Sequence, residues 1–486
     1  MTGSVLRSSF RDPAGYVVSQ GGHLFRLVRP EAVSELTEFL HSHACRKLLE
    51  EGQLVGSTVL DPQTCEPDLA AFLHDCLNRC GAGMVLEHER IFFPSFPYEW
   101  PPEMLYAAAE LTLDLAEISL QEGFGLKDAT PYNVLFRGTQ PVFVDLLSLE
   151  RRHPGDPTWR PYAQFIRTFL LPLALYKYYG LRLDQMLLSR RDGVEPEDAY
   201  RLLKFRHKIL PPFLTLVSLP KWLGTAVRAD DSTIYKQRIL ARQEKAQFIL
   251  RSTFRGLRRS LRHSRPKPSG DSTWSGYMHG GNIYSSAQFN AKRDFVRQVL
   301  SDHKPERVLD VGCNTGYFSL LAAEMGASVV AIDQDPVVVG EVWRTAKSRN
   351  LDVLPLVVDL NRPTPAIGWQ NEECPSFLDR AKERFDTVFM LAVVHHMIVT
   401  ERVPLARIFD LAAKLTKDLL VIEFVGPGDP MFQRLLRGRD ELHKGLTPEV
   451  FESSFLQHFE IVRCQIIEGT HRRLYLLRKT TPPSSG

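Results

Sequence analysis

Long apolar runs are missing from this chain. No stretch of eighteen uninterrupted apolar residues occurs among its 486, so no transmembrane helix is expected. The nearest approaches, FIRTFLLPLALYKYYG and ILPPFLTLVSLPKWLG, contain prolines and are interrupted or bordered by charge. Both are expected as buried helices of a globular lobe. Matched cysteine pairs are missing too. The seven cysteines (Cys45, Cys65, Cys76, Cys80, Cys313, Cys374 and Cys464) are odd in number and scattered. Together with the lack of a leader-like segment, they point to reduced thiols and a cytoplasmic protein. Cys76 and Cys80 lie four apart in helical sequence with no second pair, so neither a zinc site nor any other metal site is expected. A net charge of +3 offers no global case for a nucleic-acid binder, and no internal repeat is visible.

What is present is a soluble composition, 44% hydrophobic and 24% charged, in a chain long enough for two or three domains. The composition shifts at RSTFRGLRRSLRHSRPKPSG, residues 251–270, a basic helix tail running into a Pro-Ser-Gly linker. The boundaries read are 1–262, a linker 263–272, and 273–480. The first part opens with a hairpin, GYVVSQGGHLFRLV, whose Gly21-Gly22 suits a tight turn. Helical segments follow to about residue 80, then a strand at 83–88 and a Pro-aromatic loop, FFPSFPYEWPP. A helix at 103–121 comes next, then short strands NVLFR and PVFVDLL, and mostly helical sequence to 262. The second part alternates strands (RVLDVG, SVVAID, VLPLVV, FDTVFML, LLVIEFV) with helices, which implies a parallel α/β sheet. It closes on two strands, FEIVRCQII and RRLYLLRK, joined by the short turn EGTH. The fold class read is α/β, a Rossmann-like seven-stranded sheet with a terminal antiparallel hairpin, behind an N-terminal α+β domain.

The segment VLDVGCNTGYF, residues 308–318, is a strand, a glycine turn and a helix start. Glycine there lets the backbone approach a ligand and adopt torsions closed to other residues. Gly312 and Gly316 are four apart, Tyr317 stands where a dinucleotide fingerprint wants its third glycine, and Asp310 comes two residues before the first. This arrangement resembles the first motif of class I S-adenosylmethionine-dependent methyltransferases, with Asn314 in place of the family's middle glycine; Asn tolerates left-handed torsions. The resemblance implies S-adenosylmethionine as cofactor. Asp333, ending the second strand, would accept from the ribose hydroxyls. Asp359, after the third, is similar to the acidic residue that meets the adenine amino group. Asp310 would order the loop or meet the cationic methionine end, and Leu391 would line the site.

The acceptor is less legible. His395 and His396 fall at the carboxyl edge of the fourth strand, where open α/β sheets bind ligands, and are candidates for a general base. The alternative is a structural cap on the next helix. Glu423, on the fifth strand, is a third catalytic candidate. Asp429, Arg434 and Arg439 in the loop beyond it either face the acceptor or are solvated charges. Trp274, Tyr277, Tyr284 and Lys292 either form a lid over the cofactor or pack against the sheet. No Asn/Asp-Pro-Pro-Tyr tetrapeptide is present, and Cys374 does not stand where a cytosine-directed nucleophile would.

In the first part, LKDATPYNVLF and PVFVD place Asp128, Asn133 and Asp145 in an order that resembles the catalytic loop and metal-binding Asp of protein kinases and aminoglycoside phosphotransferases. The resemblance implies an Asp that orients a hydroxyl and an Asn and Asp that hold magnesium. A Gly-rich phosphate loop and a third-strand lysine are missing (Arg26 is a cation but not a match), and Leu-Leu follows Asp145. The expectation is a degenerate kinase-like domain that binds or scaffolds. The order of parts, with SFRDPAGYV, LKDATPYNVLF, PVFVDLLSLE, IGWQNEE and VPLARI, resembles a group of bacterial-type two-part methyltransferases, some related to nodulation proteins. The expected function is methyl transfer to a hydroxyl or amine of a small molecule, sugar or lipid-linked metabolite. The alternatives are an RNA or protein methyltransferase docking through 251–267, and a nucleotide-binding N-terminal module for regulation or phosphotransfer.

Overall fold

The computed structural model describes residues 4–5, 12–224, 239–267, 285–436 and 445–480. Trp274, Tyr277, Tyr284, Arg439 and the linker residues from 268 onward lie outside the described residues. The chain divides into two compact units, Met1–Lys267 with Ile367–Cys374, and Pro268–Ala366 with Pro375–Gly486.

The first unit begins with a five-stranded antiparallel sheet in the order β1-β2-β3-β5-β4. Its strands are β1 (Ser4–Val5), β2 (Gly15–Gln20), β3 (His23–Val28), β4 (Ser57–Leu60) and β5 (Met84–His88). Gly21 and Gly22 sit at φ 59° and 90°, the left-handed pair that a two-residue hairpin turn demands. The strand β4 falls in sequence expected as helix; its Ser-Thr-Val run pairs with β5, where β-branched side chains fit a pleated surface. Val18, Phe25, Leu27 and Val85 close a core with Leu73 from the Pro67–Cys80 helix.

The Pro102–Gln121 helix is buried along most of its length. After it come two short ladders: β6 (Phe124–Leu126) pairs with β9 (Leu149–Arg151), and β7 (Val134–Arg137) with β8 (Gln140–Phe143). The 251–267 stretch lies mainly in the Gln243–Ser264 helix. This helix buries Leu250, Phe254, Leu257 and Leu261 and ties Arg258 to Asp114 at 2.6 Å. The first proline-containing segment is buried as expected. The second is only half so: Phe213, Leu216 and Val217 are buried, but Ile209, Leu210, Leu219, Trp222 and Leu223 are exposed. Among the described residues no helix is long and apolar enough to cross a membrane.

The second unit is built on a seven-stranded sheet, β12-β11-β10-β13-β14-β16-β15. The strands are β10 (Arg307–Val311), β11 (Ser328–Asp333), β12 (Val353–Val357), β13 (Phe385–Met390), β14 (Thr416–Val425), β15 (Phe459–Ile467) and β16 (Arg472–Lys479). The first five are parallel, and β16 inserts antiparallel between β14 and β15. Helices on both faces bury the central strands, whose sequences are accordingly near-continuous apolar runs. The Ser286–His303 helix leads into the sheet and starts from a capping box. Ser285 Oγ accepts from Gln288 N, and Ser285 N donates to Gln288 Oε1 at 2.9 Å, satisfying two otherwise orphaned amides.

Candidate active site

Reversal of strand order between β10 and β13 opens a crevice at the carboxyl ends of the strands, the place where open α/β sheets accept ligands. A cavity of about 160 Å³ lies there. Its floor is the turn after β10. Gly312, Asn314 and Gly316 take φ of 69°, 50° and 80°, all in the left-handed region. Side chains at the two glycines would also collide: a Cβ on Gly312 would stand 2.5 Å from Val393 Cγ2, and one on Gly316 2.7 Å from Val342 Cγ2. Asn314 holds its torsion with a local bond, Oδ1 accepting from Thr315 N at 2.7 Å.

All the cofactor candidates named from sequence except Gly316 line this cavity: Asp310, Gly312, Asn314, Asp333, Asp359 and Leu391. Asp310 is 3% exposed and accepts from Ser319 Oγ at 2.5 Å. Burial pushes its carboxyl up to about 7, against the pull of that bond and of Lys292. Asp333 accepts from the backbone N–H of Asn314 and of Asp335, both at 3.0 Å. Burial still lifts it to about 6. Asp359 accepts from Asn361 N at 2.9 Å. Phe289, Tyr317 and Phe318 form an aromatic wall, with Tyr317 edge-on to Phe289 at 4.9 Å between centroids. Sequence reading missed Phe289, and it missed Ala392, a cavity residue held at φ 55°. Such a torsion at a non-glycine residue is a strain that functional sites tend to hold.

The two histidines do not cap a helix; both lie in the first turn of the Val394–Val399 helix, rings 4.3 Å apart. His396 lines the cavity, and burial, with the Arg472 charge, lowers it to about 4. His395 is 1% exposed, and neither of its ring nitrogens has a hydrogen-bond partner among the described residues. Burial holds it well below the ordinary histidine range.

Beside them runs a buried chain of four charges. Lys292 Nζ donates to Glu423 Oε2 at 2.6 Å, and Arg472 Nη1 donates to Glu423 Oε1 at 3.1 Å. Arg472 Nε and Nη2 reach the two oxygens of Asp429 at 2.6 and 3.0 Å. Burial works to raise Glu423, but Lys292 and Arg472 overcome it and hold the carboxyl below its usual range. Both oxygens of Glu423 are therefore engaged. Lys292 also reaches the cavity wall. Arg434, by contrast, is exposed. Arg472 was not legible as part of a site: it reads as half of a basic pair opening a strand.

Residues 284–468 match the family model described as a methyltransferase domain. Over 477 residues the chain is 30% identical to nodulation protein NoeA of Rhizobium meliloti (strain 1021), covering 97% of this chain and 95% of the relative. The chain belongs to the NoeA family. This NoeA-family protein is an S-adenosylmethionine-dependent methyltransferase. It is also 29% identical over 149 residues to tRNA U34 carboxymethyltransferase of Shewanella baltica (strain OS155), a match spanning 30% of this chain and 40% of that one. Among solved structures, magnesium protoporphyrin IX methyltransferase of Synechocystis PCC 6803 with bound SAH is 21% identical. It covers 42% of this chain and 94% of its own, with a TM-score of 0.32.

Proposed function

We propose that the cavity at the ends of β10, β11 and β13 holds the methyl donor. The acceptor is a hydroxyl or amine of a small molecule, sugar or lipid-linked metabolite. One observation carries the donor assignment: Asp310, Asp333 and Asp359 converge on a single cavity whose floor is a turn with left-handed torsions at Gly312, Asn314 and Gly316. A Cβ at either glycine has no room, and at Gly312, which lines the cavity, bare backbone faces the ligand. In this reading Asp333 accepts from the ribose hydroxyls, Asp359 faces the adenine amino group, and Asp310 faces the methionine ammonium. When bound, the donor supplies an electrophilic methyl on a sulfonium, so much of the work left to the chain is positioning and exclusion of water.

His396 is neutral at physiological pH and stands on the cavity wall, so it can take the proton of a hydroxyl acceptor. His395 packs against its ring and sets its place. Glu423, with both oxygens engaged, acts as a positioning residue for Lys292 rather than as a base. The aromatic wall supports a small acceptor group. Calorimetry with S-adenosylhomocysteine tests the donor site: Asp333→Ala should bind about tenfold more weakly or worse, and unchanged affinity would remove Asp333 from the ribose.

We read the N-terminal unit as a degenerate kinase-like domain. The support is an antiparallel sheet interrupted by helices, then a mostly helical part that carries Asp128, Asn133 and Asp145. A magnesium-nucleotide site does not fit these residues. Arg26 Nη1 on β3 lies 3.2 Å from Asp145 Oδ1 and 3.2 Å from Asp12 Oδ2, so a fixed cation already faces the carboxylate a metal would need. Asp128 is exposed and takes Gln164 Nε2 at 3.3 Å. Among the described residues Asn133 Nδ2 reaches only Ser148 Oγ, at 3.5 Å. The unit binds or scaffolds without phosphotransfer.

A further inference from the structure

The half-exposed segment of the first unit combines two features that rarely share a surface by chance. From 201 to 224 the chain carries five Lys or Arg (Arg201, Lys204, Arg206, Lys208 and Lys221) and no Asp or Glu. In the same span large apolar side chains face outward: Phe205 is 79% exposed, Leu223 71%, Leu202 54% and Trp222 46%. A single exposed leucine needs no explanation, whereas a cluster of large apolar residues ringed by charge marks an interaction site.

Tyr200 brings Lys208, Lys221 and Trp222 of this span together. Its ring has Lys208 Nζ at 4.1 Å and Lys221 Nζ at 4.4 Å from the centroid, and its hydroxyl accepts from Trp222 Nε1 at 3.3 Å. The Pro196–Leu202, Phe205–Lys208 and Leu219–Gly224 helices therefore meet at Tyr200; the first of them also carries Glu197 and Asp198, and Asp198 is taken up by Arg190 and Arg201. Arg201 is paired with Asp198, but Lys204, Arg206, Lys208 and Lys221 have no carboxylate partner among the described residues. The basic surface continues through Tyr178. Its ring meets His207 at 5.6 Å, and its hydroxyl donates to the His263 carbonyl at 3.3 Å, near the end of the Gln243–Ser264 helix. That helix exposes Arg251, Arg255, Arg259 and Arg262.

We propose that this face is a docking surface for an anionic lipid bilayer, with Phe205, Trp222 and Leu223 entering the headgroup region and the surrounding Lys and Arg meeting lipid phosphates. Apolar burial and attraction to anionic lipid are the two forces that hold a protein on a membrane surface. Trp and Tyr, with an apolar body and a polar tip, suit the interface between tails and water. A second copy of the chain is the poorer occupant. A twofold interface through this face would set the same unpaired cations against themselves, and like charges across an interface oppose association. The inference is independent of the acceptor's identity, since it rests on the first unit alone.

Flotation of the full-length protein tests it, with vesicles of phosphatidylcholine alone and of equal parts phosphatidylcholine and phosphatidylglycerol. The protein should float with the mixed vesicles and stay behind with the neutral ones. The variant Phe205→Glu, Leu223→Glu and the variant Lys204→Glu, Lys208→Glu should each bind the mixed vesicles about tenfold more weakly or worse. Their affinity for S-adenosylhomocysteine should be unchanged, and so should the melting temperature of the Phe205→Glu, Leu223→Glu variant, because both of its side chains are exposed; the Lys204→Glu, Lys208→Glu variant loses only the contact of Lys208 with the Tyr200 ring. Failure of the wild type to float with anionic vesicles overturns the proposal. So does equal flotation of the variants, or a dimer in sedimentation that the variants split, which would make the face an interface between copies.

Discussion

Lys292, on the helix that leads into the sheet, donates to Glu423 at 2.6 Å across 131 residues of sequence, with the pair 5% and 0% exposed. Neither charge could be buried alone. Arg472 and Asp429 complete the set, so two cations and two anions balance inside the second unit. The arrangement fastens the leading helix to β14 and β16 and brings Lys292 to the cavity wall beside Asp310.

The balance makes the set sensitive to single deletions. Arg472→Met strips Asp429 of its guanidinium and should destabilise the second unit by about 3–5 kcal/mol, the range for a buried charge left unpaired. Lys292→Met leaves Glu423 its bond to Arg472 and should cost less. Urea unfolding followed by tryptophan fluorescence reads the difference, and equal losses for the two variants would mean that the four charges do not act as a chain.

The proposed donor cavity should respond to pH through Asp310 and Asp333. Burial raises them to about 7 and about 6, so the folded protein holds protons there that the unfolded chain has already released. Their contribution to stability of the ligand-free protein is therefore largest at low pH and declines as pH rises from about 4 to about 7. In the proposed site a ligand carrying an ammonium and ribose hydroxyls would pair with the carboxylates, and so would bind with release of these protons. Affinity for S-adenosylhomocysteine should fall on acidification from about pH 7.5 to about pH 5.5, by up to about tenfold per pH unit for each proton released. The ligand-induced gain in melting temperature should shrink over the same window. A gain independent of pH would exclude both carboxylates from ligand contact.

Gly316 is held by two separate constraints, and a double substitution separates them. Gly316→Ala meets a left-handed φ of 80°, which costs about 1–2 kcal/mol, and a Cβ position 2.7 Å from Val342 Cγ2. Shortening the neighbour in Gly316→Ala, Val342→Ala relieves only the collision. The double variant should therefore be more stable than the sum of the single losses by about 0.5 kcal/mol or more, yet remain below the wild type. Strict additivity in thermal unfolding would show that the torsion alone requires the glycine.

Some of this was legible in sequence and some was not. The parallel strands of the second unit read clearly because strands buried on both faces become near-continuous runs such as VLPLVV, and the turn between β10 and its helix announces itself through Gly312 and Gly316. The role of Arg472 is hidden because it opens its strand next to Arg473, in a pattern that suits solvent. Only the strand order, with β16 between β14 and β15, sets it beside Glu423. The short β4 is lost because four residues carry little periodicity. Leu219, Trp222 and Leu223 look like core for a similar reason: an apolar pattern says which residues avoid water in general, but not which face of a small helix remains uncovered after packing. The resemblance to bacterial-type two-part methyltransferases, some related to nodulation proteins, was readable across nearly the whole chain, yet it carries no acceptor.

The N-terminal unit offers a test of how far the kinase resemblance extends. Arg26 shares its guanidinium between Asp12 and Asp145 while its Nε meets His88 Nε2 at 3.2 Å. Burial and the Arg26 charge lower His88 to about 3, so that histidine stays neutral and can accept the bond. A divalent ion at Asp145 would have to displace a guanidinium braced on three sides, and a guanidinium does not lose its charge at any accessible pH. Titration of the full chain with ATP and magnesium should give no magnesium-dependent heat. Arg26→Ala should lower the melting temperature, because two partly buried carboxylates then face each other without the guanidinium that bridges them. Magnesium-dependent ATP binding in the wild type that disappears in Asp145→Ala would reverse the assignment, making the unit a working nucleotide site in which Arg26 swings aside.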